Sequence, residues 1–449
     1  MTVFGTAVIR RIGCAAGATI VLAAGSTGPA AAVDQPSLQR VSLGQLGAQA
    51  DAESFGPSAS ADGRYVAFSS SAGNLVPGDS NGKEDVFVRD LRTGQTVRAS
   101  VGTDGGQSSG YDSRSASISA DGRYVAFHTR AGNLVPGDTN DSTDVFVRDL
   151  VAGRTLLVSV RDDGSQPAGG RGLAAGQPAI SGDGSRVVFI ATYPDLVPGD
   201  SNGRADVFVR DLRTGRTERA SLATGGAQSD ALSTAPVISR DGRSVAFVST
   251  ATNLVRGDTN ALADVFVRDL RTGQTARASV GGPAPDTRGG QQQADGASLA
   301  PTLSADGGRV SFTSAATNLV RGDTNGVDDV FVRDLRAART VRASVGDSGA
   351  QGDGRAVRSG LSDDGHSLAF TSLATNLVEG DTNRVGDVFV RDLATDRTER
   401  ATPDTADGFY YLASPVLAAG SVVYESAATN LVPGDSNGAT DIFASRLRR

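Results

Sequence analysis

The sequence predicts an all-β protein: a seven-bladed β-propeller of four-stranded antiparallel blades, closed by an N-terminal strand that completes the last blade. Three observations lead to this prediction. One motif recurs seven times, the residues between its copies follow the patterns of strands and tight turns, and the last copy lacks a strand that the N-terminal segment can supply. Repeated four-stranded sheets around an axis form a propeller, and seven lies within its usual number of blades.

The recurring motif is Gly-Asp-(Ser/Thr)-Asn, followed after a few residues by Asp-(Val/Ile)-Phe. Successive copies are 54 to 65 residues apart, a period typical of supersecondary units that cannot bury their own faces alone. Such units pack against one another, so we expect the function to lie on the surface of the array.

Each unit is predicted to contain four strands. In the first unit these are residues 58–60, 64–69, 85–91 and 96–101. Asp-Gly and Thr-Gly dipeptides separate the first strand from the second and the third from the fourth, and glycine accepts the positive φ that tight hairpin turns need. No segment shows a sustained apolar period of 3.6 residues, so helices are not expected.

The two middle strands of each unit are apolar on both faces, as in Val86-Phe87-Val88, which predicts that both faces of each sheet are covered. Thirteen of the sixteen phenylalanines occupy two positions of the repeat. The second strands contain Phe68, Phe127, Phe189, Phe247, Phe312 and Phe370, and the third strands contain Phe87, Phe146, Phe208, Phe266, Phe331, Phe389 and Phe443. Tyr424 stands at the remaining position.

The last unit ends shortly after its third strand, at residues 441–445. Residues 38–44 carry the Arg-x-Ser-x-Gly pattern that residues 98–102 show in the first unit, yet they precede the first unit and have no partner there. We therefore predict that this N-terminal strand pairs with the last unit and closes the ring.

Residues 1–32 resemble an export signal, with Arg10 and Arg11 before an apolar stretch and small residues before Val33. The propeller is then expected over residues 33–449, and the mature protein is expected to be secreted, in the extracellular space or the periplasm. The only cysteine, Cys14, lies in the signal. Packing, and not disulfides, must therefore stabilise the mature chain.

Without residues 1–32 the chain has 41 basic and 50 acidic side chains, and Lys83 is its only lysine. A net acidic chain is a poor phosphate binder, so nucleic acid is not expected as a partner. No later segment has 18 consecutive apolar residues, so no membrane span is expected either. We expect a monomer.

Residues 119–127, Ser-Ala-Asp-Gly-Arg-Tyr-Val-Ala-Phe, together with the Asp-Val-Phe strand at 144–150, resemble the TolB-type, WD-like propeller repeat. The resemblance extends over residues 37–446. It implies a propeller fold, and functions that range from periplasmic partner binding to enzyme accessory domains. TolB itself carries a separate α/β domain before its propeller, so we do not expect a direct equivalent of TolB.

A candidate metal site recurs in every unit as Asp-x-Asn-x-x-x-Asp, a spacing of hard oxygen ligands that suits calcium. The alternative is that these side chains bond to nearby backbone amides and fix the loop. The seven trios are Asp79/Asn81/Asp85, Asp138/Asn140/Asp144, Asp200/Asn202/Asp206, Asp258/Asn260/Asp264, Asp323/Asn325/Asp329, Asp381/Asn383/Asp387 and Asp435/Asn437/Asp441. No other cofactor is expected.

Two further motifs are assigned structural roles. Gly-x-Ser-x-Gly at 78–82 lacks the preceding strand, following helix and nearby His that a nucleophile elbow needs, so it is interpreted as a polar turn. The dipeptide Arg89-Asp90 recurs in five other units. We expect it to form charge pairs between blades, because a catalytic acid or base would not recur in every blade.

The predicted function is a non-enzymatic scaffold that binds a protein or glycan. Short turns share one face of a propeller, while the long loops and the connections between blades share the other, which is the expected binding face. The connections lie at 102–116, 161–177, 223–235, 281–300, 346–359 and 403–413, and they could instead be slack linkers. The alternatives are a calcium-stabilised structural propeller and an enzyme, a hydrolase or lyase, at the channel mouth. The enzyme would use loop carboxylates among Asp162, Asp163, Asp286 and Asp353.

Overall fold

The computed structural model describes residues 38–167, 175–283, 291–404, 406–407 and 415–447. The predicted export signal lies outside these residues. Within them the only helical segment is a single 3-10 turn, Gln45–Gly47, and they contain no helix with the length and apolar character that crossing a membrane requires.

The described residues form seven four-stranded antiparallel sheets, as predicted. Blade 1 comprises β2 (Ser54–Ala59), β3 (Tyr65–Ser70), β4 (Asp85–Asp90) and β5 (Gln95–Arg98). Blade 2 comprises β6 (Ser113–Ile118), β7 (Tyr124–Thr129), β8 (Asp144–Asp149) and β9 (Arg154–Leu157). Blade 3 comprises β10 (Ala175–Ile180), β11 (Arg186–Ala191), β12 (Asp206–Asp211) and β13 (Arg216–Arg219). Blade 4 comprises β14 (Ser233–Ile238), β15 (Ser244–Ser249), β16 (Asp264–Asp269) and β17 (Thr275–Arg277).

The remaining blades follow the same order. Blade 5 comprises β20 (Ser298–Leu303), β21 (Arg309–Ser314), β22 (Asp329–Asp334) and β23 (Arg339–Arg342). Blade 6 comprises β24 (Ala356–Leu361), β25 (Ser367–Ser372), β26 (Asp387–Asp392) and β27 (Arg397–Arg400). Blade 7 contains β28 (Val416–Ala418), β29 (Ser421–Ser426) and β30 (Asp441–Arg446). The connection between blades 4 and 5 adds a small hairpin, β18 (Val280–Pro283) and β19 (Gln291–Gln293), where the sequence predicts a loop.

The N-terminal strand β1 (Leu38–Arg40) is the fourth strand of blade 7. It pairs antiparallel with β30, with Leu38 opposite Ser445 and Arg40 opposite Phe443. The predicted closure of the ring by the opposite terminus is therefore confirmed.

The core lies between neighbouring blades. All residues of β3 and β4 are buried, and each blade pairs the aromatic ring of its second strand with that of its third. In blade 1 the Phe68 and Phe87 centroids are 6.0 Å apart, and in blade 7 Tyr424 and Phe443 are 6.1 Å apart. Tyr424 thus fills the position that the repeat elsewhere gives to phenylalanine.

The first strand of blade 1 begins four residues earlier than predicted, at Ser54. The register shifts between Phe55 and Ser58, because Gly56 forms a bulge with φ +63°. Gly-Pro within a run normally indicates a break, but a bulge lets the strand continue past it. Non-glycine residues occupy the same positive-φ position in the next five blades, namely Ser115, Gln177, Ala235, Ala300 and Arg358.

Candidate functional site

The long loops between second and third strands, together with the connections between blades, form one hydrogen-bonded layer, here called the long-loop face. At the junction of blades 1 and 2, Ser109 N donates to Asn133 Oδ1 (3.0 Å) and Asn133 Nδ2 donates to Gln107 O (2.9 Å). Ser80 N, in the loop of blade 1, donates to Gln107 Oε1 (3.3 Å). The same asparagine contact joins Asn74 to Gln49, Asn253 to Gln228, Asn318 to Gln293 and Asn376 to Gln351. For these described connections the slack-linker interpretation is wrong.

The predicted Asp/Asn trios hold the loops that lead into the third strands. In blade 1 the fully buried Asp85 accepts hydrogen bonds from Ser100 Oγ (2.5 Å) and Asn81 Nδ2 (2.9 Å). Asn81 Oδ1 accepts the amide of Lys83 (2.9 Å), a local turn of the kind that the structural alternative predicts. The trio therefore fixes its loop through its own hydrogen bonds.

The asparagines of all seven trios are oriented differently from the predicted metal ligands. Each side-chain oxygen accepts the backbone amide two residues further along the chain, at 2.9 to 3.4 Å. Each side-chain nitrogen donates either to the second carboxylate of its trio or to a neighbouring carbonyl or hydroxyl oxygen. A calcium ligand would have to present its oxygen to the ion instead. This geometry favours the loop-fixing alternative for Asn81, Asn140, Asn202, Asn260, Asn325, Asn383 and Asn437.

In six blades an arginine from the fourth strand lies between the two carboxylates of the trio. In blade 1, Arg98 Nη1 is 3.0 Å from Asp79 and 3.1 Å from Asp85. Sequence reasoning missed this residue, although its recurrence two positions before a Ser or Thr was a usable signal. The other five arginines, with N to O distances of 3.0 to 3.9 Å, are Arg219 with Asp200 and Asp206, Arg277 with Asp258 and Asp264, Arg342 with Asp323 and Asp329, Arg400 with Asp381 and Asp387, and Arg40 of the closing strand with Asp435 and Asp441.

Blade 2 is the exception, because Leu157 stands at the end of β9 where the other fourth strands carry arginine. Gln166 Nε2 donates to Asp138 Oδ1 (2.8 Å), and Tyr193 Oη, from blade 3, donates to Asp144 Oδ1 (3.4 Å). Asp144 is fully buried, and burial raises the pKa of its carboxyl to about 6. Both carboxylates of this blade thus accept hydrogen bonds from neutral side chains.

Calcium binding by the Asp/Asn trios remains a prediction. Among the described residues, no group of three or more His, Cys, Asp or Glu side chains is arranged to hold a metal ion. In six blades the space between the carboxylates already contains a guanidinium. Blade 2 is where the described trio differs from its copies.

The Arg89-Asp90 repeat does not form the expected charge pairs between blades. Asp90 pairs with Arg64 of its own blade (2.6 Å), which contributes to a pKa of Asp90 below its usual range. Arg89 Nη1 instead donates to the carbonyl of Leu43 (2.8 Å), in the segment after the closing strand. Adjacent strand residues point to opposite faces, so the two charges cannot both reach the same neighbouring blade.

A cavity lies at the ends of the first strands, on the side of the short turns. The last residues of the first strands line a cavity of about 230 Å³. These residues include Ile118, Ile180, Ile238, Leu303, Leu361 and Leu417. Arg240 of blade 4 pairs across the axis with Asp363 of blade 6. Both residues of this ion pair belong to the cavity lining.

The loop carboxylates proposed for an enzyme have structural partners. Asp162 accepts the amide of Thr217 in the next blade (2.7 Å), Asp353 accepts the amide of Thr375 (2.7 Å), and Asp163 accepts the amide of Ser165 (2.9 Å). Asp286 lies outside the described residues. Ser80 of the Gly-x-Ser-x-Gly turn accepts a hydrogen bond from Gln107 (2.9 Å), in keeping with a polar turn.

A separate cluster lies between blades 1 and 2. Arg114 Nε donates to Glu84 Oε2 (2.7 Å), and Arg114 also pairs with Asp112 (3.1 Å). Burial raises the pKa of Glu84 to about 7. His128 lies opposite Arg114 in the sheet, and burial lowers its pKa to about 4, which keeps the imidazole neutral.

Comparison with known proteins supports the fold. No family model matches the chain, and no curated protein matches it. An oligogalacturonate lyase in complex with manganese superposes with a TM-score of 0.54 at 12% identity, over 92% of this chain and 93% of the lyase. The β-propeller domain of the Trilobed protease from Pyrococcus furiosus gives 0.51 at 11% identity, over 84% and 89% of the two chains.

TolB from Acinetobacter baumannii is also among the similar structures, with a TM-score of 0.38 at 16% identity over 70% of this chain and 58% of TolB. The superpositions on the lyase and on the protease domain confirm the predicted propeller fold. The chain is a seven-bladed β-propeller, and identities of this size define the class of fold without defining an activity.

Proposed function

We propose that this protein is a secreted, non-catalytic scaffold that binds a protein or glycan partner on its long-loop face. The observation that carries the proposal is the hydrogen-bonded layer of loops and connections. A surface whose loops are already ordered loses little conformational entropy on binding, so more of the contact energy remains as affinity.

The exposed apolar side chains favour a protein partner. Among the described residues five large apolar side chains are exposed. Four of them, Leu46, Tyr111, Leu232 and Leu299, lie on or beside the connections of the long-loop face, whereas Val151 lies in a turn on the opposite face. Apolar and aromatic residues at such positions are typical of the anchors of protein interfaces.

A cleft of about 470 Å³ opens on the same face between blades 2 and 3. One wall is the connection at Arg161, Asp162 and Asp163, and the other is the loop Pro194–Gly199. Its size suits a partner side chain or a sugar unit, and the proposal therefore includes this cleft within the contact surface.

The test compares capture by three immobilised chains from envelope extract and culture fluid. We expect wild-type protein and a Val151→Ser control to retain the same partner, and a Tyr111→Ser/Leu232→Ser variant to retain at least tenfold less. Equal retention by all three chains would overturn the proposed face. Glycan-array binding by the same chains identifies a sugar ligand, and N-terminal sequencing of exported protein should begin at Val33.

An enzyme remains the second candidate because Glu84 and His128 have shifted pKa values in the cluster between blades 1 and 2. Buried groups with perturbed pKa values concentrate at active sites. A hydrolase or lyase using Glu84 would release new reducing ends from oligosaccharides, and Glu84→Gln would abolish that release. The scaffold proposal expects no release by either chain.

A further inference from the structure

Two charged residues interrupt a repeated pattern in the short turns between first and second strands. A Ser-x-Asp-Gly turn occurs there in six blades, and its second residue is small in four of them. The small residues are Ala61, Ala120, Gly182 and Ala305. The exceptions are Arg240 in blade 4 and Asp363 in blade 6, and these two residues form an ion pair across the axis. A charge pair at positions that the repeat otherwise keeps small needs a local explanation.

The pair lines a cavity to which all seven blades contribute. The wall beside it carries aliphatic side chains from the ends of the first strands, such as Ile180, Ile238 and Leu361. The volume is about 230 Å³, whereas an apolar cavity of about 150 Å³ in another protein already accommodates benzene. A compact apolar group therefore fits beside the ion pair.

The other polar side chains of the lining already have partners. Hydroxyls of three first strands each accept a backbone amide of the next blade, at 3.1 to 3.2 Å. They belong to Ser58, Ser117 and Thr302. Ser359 Oγ bonds to Ser311 Oγ (2.9 Å). Selection of a ligand by charge therefore depends on Arg240 and Asp363.

Arg240 and Asp363 use only part of their hydrogen-bonding capacity. Arg240 Nε donates to Asp363 Oδ1, and Arg240 Nη2 lies 3.5 Å from Ala59 O. Within the described ranges no other bond reaches either side chain, so Arg240 Nη1 and Asp363 Oδ2 remain available. The two side chains are 24% and 44% exposed, which makes the pair accessible from solvent. One positive and one negative group thus lie side by side next to an apolar wall.

We propose that this cavity binds a free α-amino acid with an apolar side chain, such as leucine. The ligand carboxylate accepts hydrogen bonds from Arg240, the ligand ammonium donates to Asp363, and the ligand side chain packs against the aliphatic wall. Charge complementarity selects this class, because a simple carboxylic acid would bring its charge against Asp363 and a simple amine would bring its charge against Arg240. The site lies on the short-turn side and is independent of the partner proposed for the long-loop face.

The test titrates L-leucine into the full-length protein by calorimetry and compares three ligands that each lack one recognised group. Isocaproate lacks the ammonium, isopentylamine lacks the carboxylate, and glycine lacks the apolar side chain. We expect one leucine site per chain and at least tenfold weaker binding of each of the other three ligands.

Four variants locate the site. Arg240→Ala and Asp363→Ala restore the residue that three sister turns carry, so both should fold and bind leucine at least tenfold more weakly. Ala179→Leu fills the cavity and leaves the pair intact, so it should bind leucine weakly even if an alanine variant does not fold. Arg243→Ala is the matched control, because Arg243 belongs to the same turn but not to the cavity lining, and it should bind like wild type.

Three results would each overturn the proposal. The first is the absence of leucine binding to wild type at millimolar concentration. The second is binding of isocaproate or isopentylamine as tightly as leucine. The third is unchanged leucine binding by the folded variants among Arg240→Ala, Asp363→Ala and Ala179→Leu.

Discussion

Removing the closing strand should leave the ring without most of its stability. The perturbation is a chain that begins at Gly44 and thus lacks β1 and residues 41–43, compared with a chain that begins at Val33. Blade 7 would then retain three strands, and β30 would become an open edge.

The magnitude follows from two residues. Val41 is fully buried, and its amide donates to Ile442 O (2.6 Å); burial of such a side chain contributes about 1.5 to 3 kcal/mol. Arg40 bridges Asp435 (3.0 Å) and Asp441 (3.3 Å), and removing one partner of a buried ion pair costs about 3 to 5 kcal/mol. The loss of about 5 to 8 kcal/mol rivals a typical domain stability of about 5 to 15 kcal/mol.

The assay is thermal and urea unfolding of both chains, with a synthetic peptide of residues 37–44 added to the shorter one. We expect the shorter chain to unfold at much lower urea concentration and the peptide to restore stability in a dose-dependent way. A peptide carrying Arg40→Leu should restore less. If the two chains had the same unfolding midpoint, the reasoning about closure would be refuted.

Three other outcomes can be measured. Arg277→Leu should cost about 3 kcal/mol or more of unfolding free energy in urea, because it leaves Asp258 and Asp264 buried without their cation, and adding Asp258→Asn should recover part of the loss. The His128 pKa of about 4 lies below its usual 6.5, so relative to His128→Thr the wild type should lose stability as pH falls from about 6.5 to 4, by about 3 kcal/mol in total. The Glu84 pKa of about 7 lies above its usual 4.5, so relative to Glu84→Gln the wild type should lose stability as pH rises from about 4.5 to 7. A pH-independent difference between wild type and either of these two variants would contradict the assigned protonation state.

The fold was predictable because its determinants are local and repeated. Apolar middle strands and paired aromatic positions recur in every unit, Asp-Gly turns recur in six, and the Arg-x-Ser-x-Gly pattern assigns the N-terminal strand to the last blade. The bulged first strands were not predictable in length, because Gly56-Pro57 indicates a break unless tertiary contacts hold the bulge.

The site was only half predictable for a different reason. The carboxylates Asp79 and Asp85 belong to one short motif, whereas Arg98 lies on the next strand and meets them only because the third and fourth strands pair with Phe87 opposite Arg98. A site predicted from residues close together in the sequence therefore omitted Arg98, which lies between the two carboxylates. The prediction for Arg89-Asp90 was wrong for the same reason, because the partners lie elsewhere in the chain. Arg89 donates to the carbonyl of Leu43, and Asp90 pairs with Arg64.

A repeat of this kind makes its exceptions informative, since every unit serves as a control for the others. An arginine lies between the carboxylates in six blades. Leucine at position 157 therefore needs a physical explanation, whereas a change at an exposed surface position would not. Gln166 Nε2 donates to both Asp138 (2.8 Å) and Asp144 (3.5 Å), so a neutral amide takes the place of the guanidinium nitrogen in blade 2. Blade 2 thus lacks one positive charge beside Asp144, which is 0% exposed, and Leu157→Arg should raise the unfolding midpoint because it restores that charge.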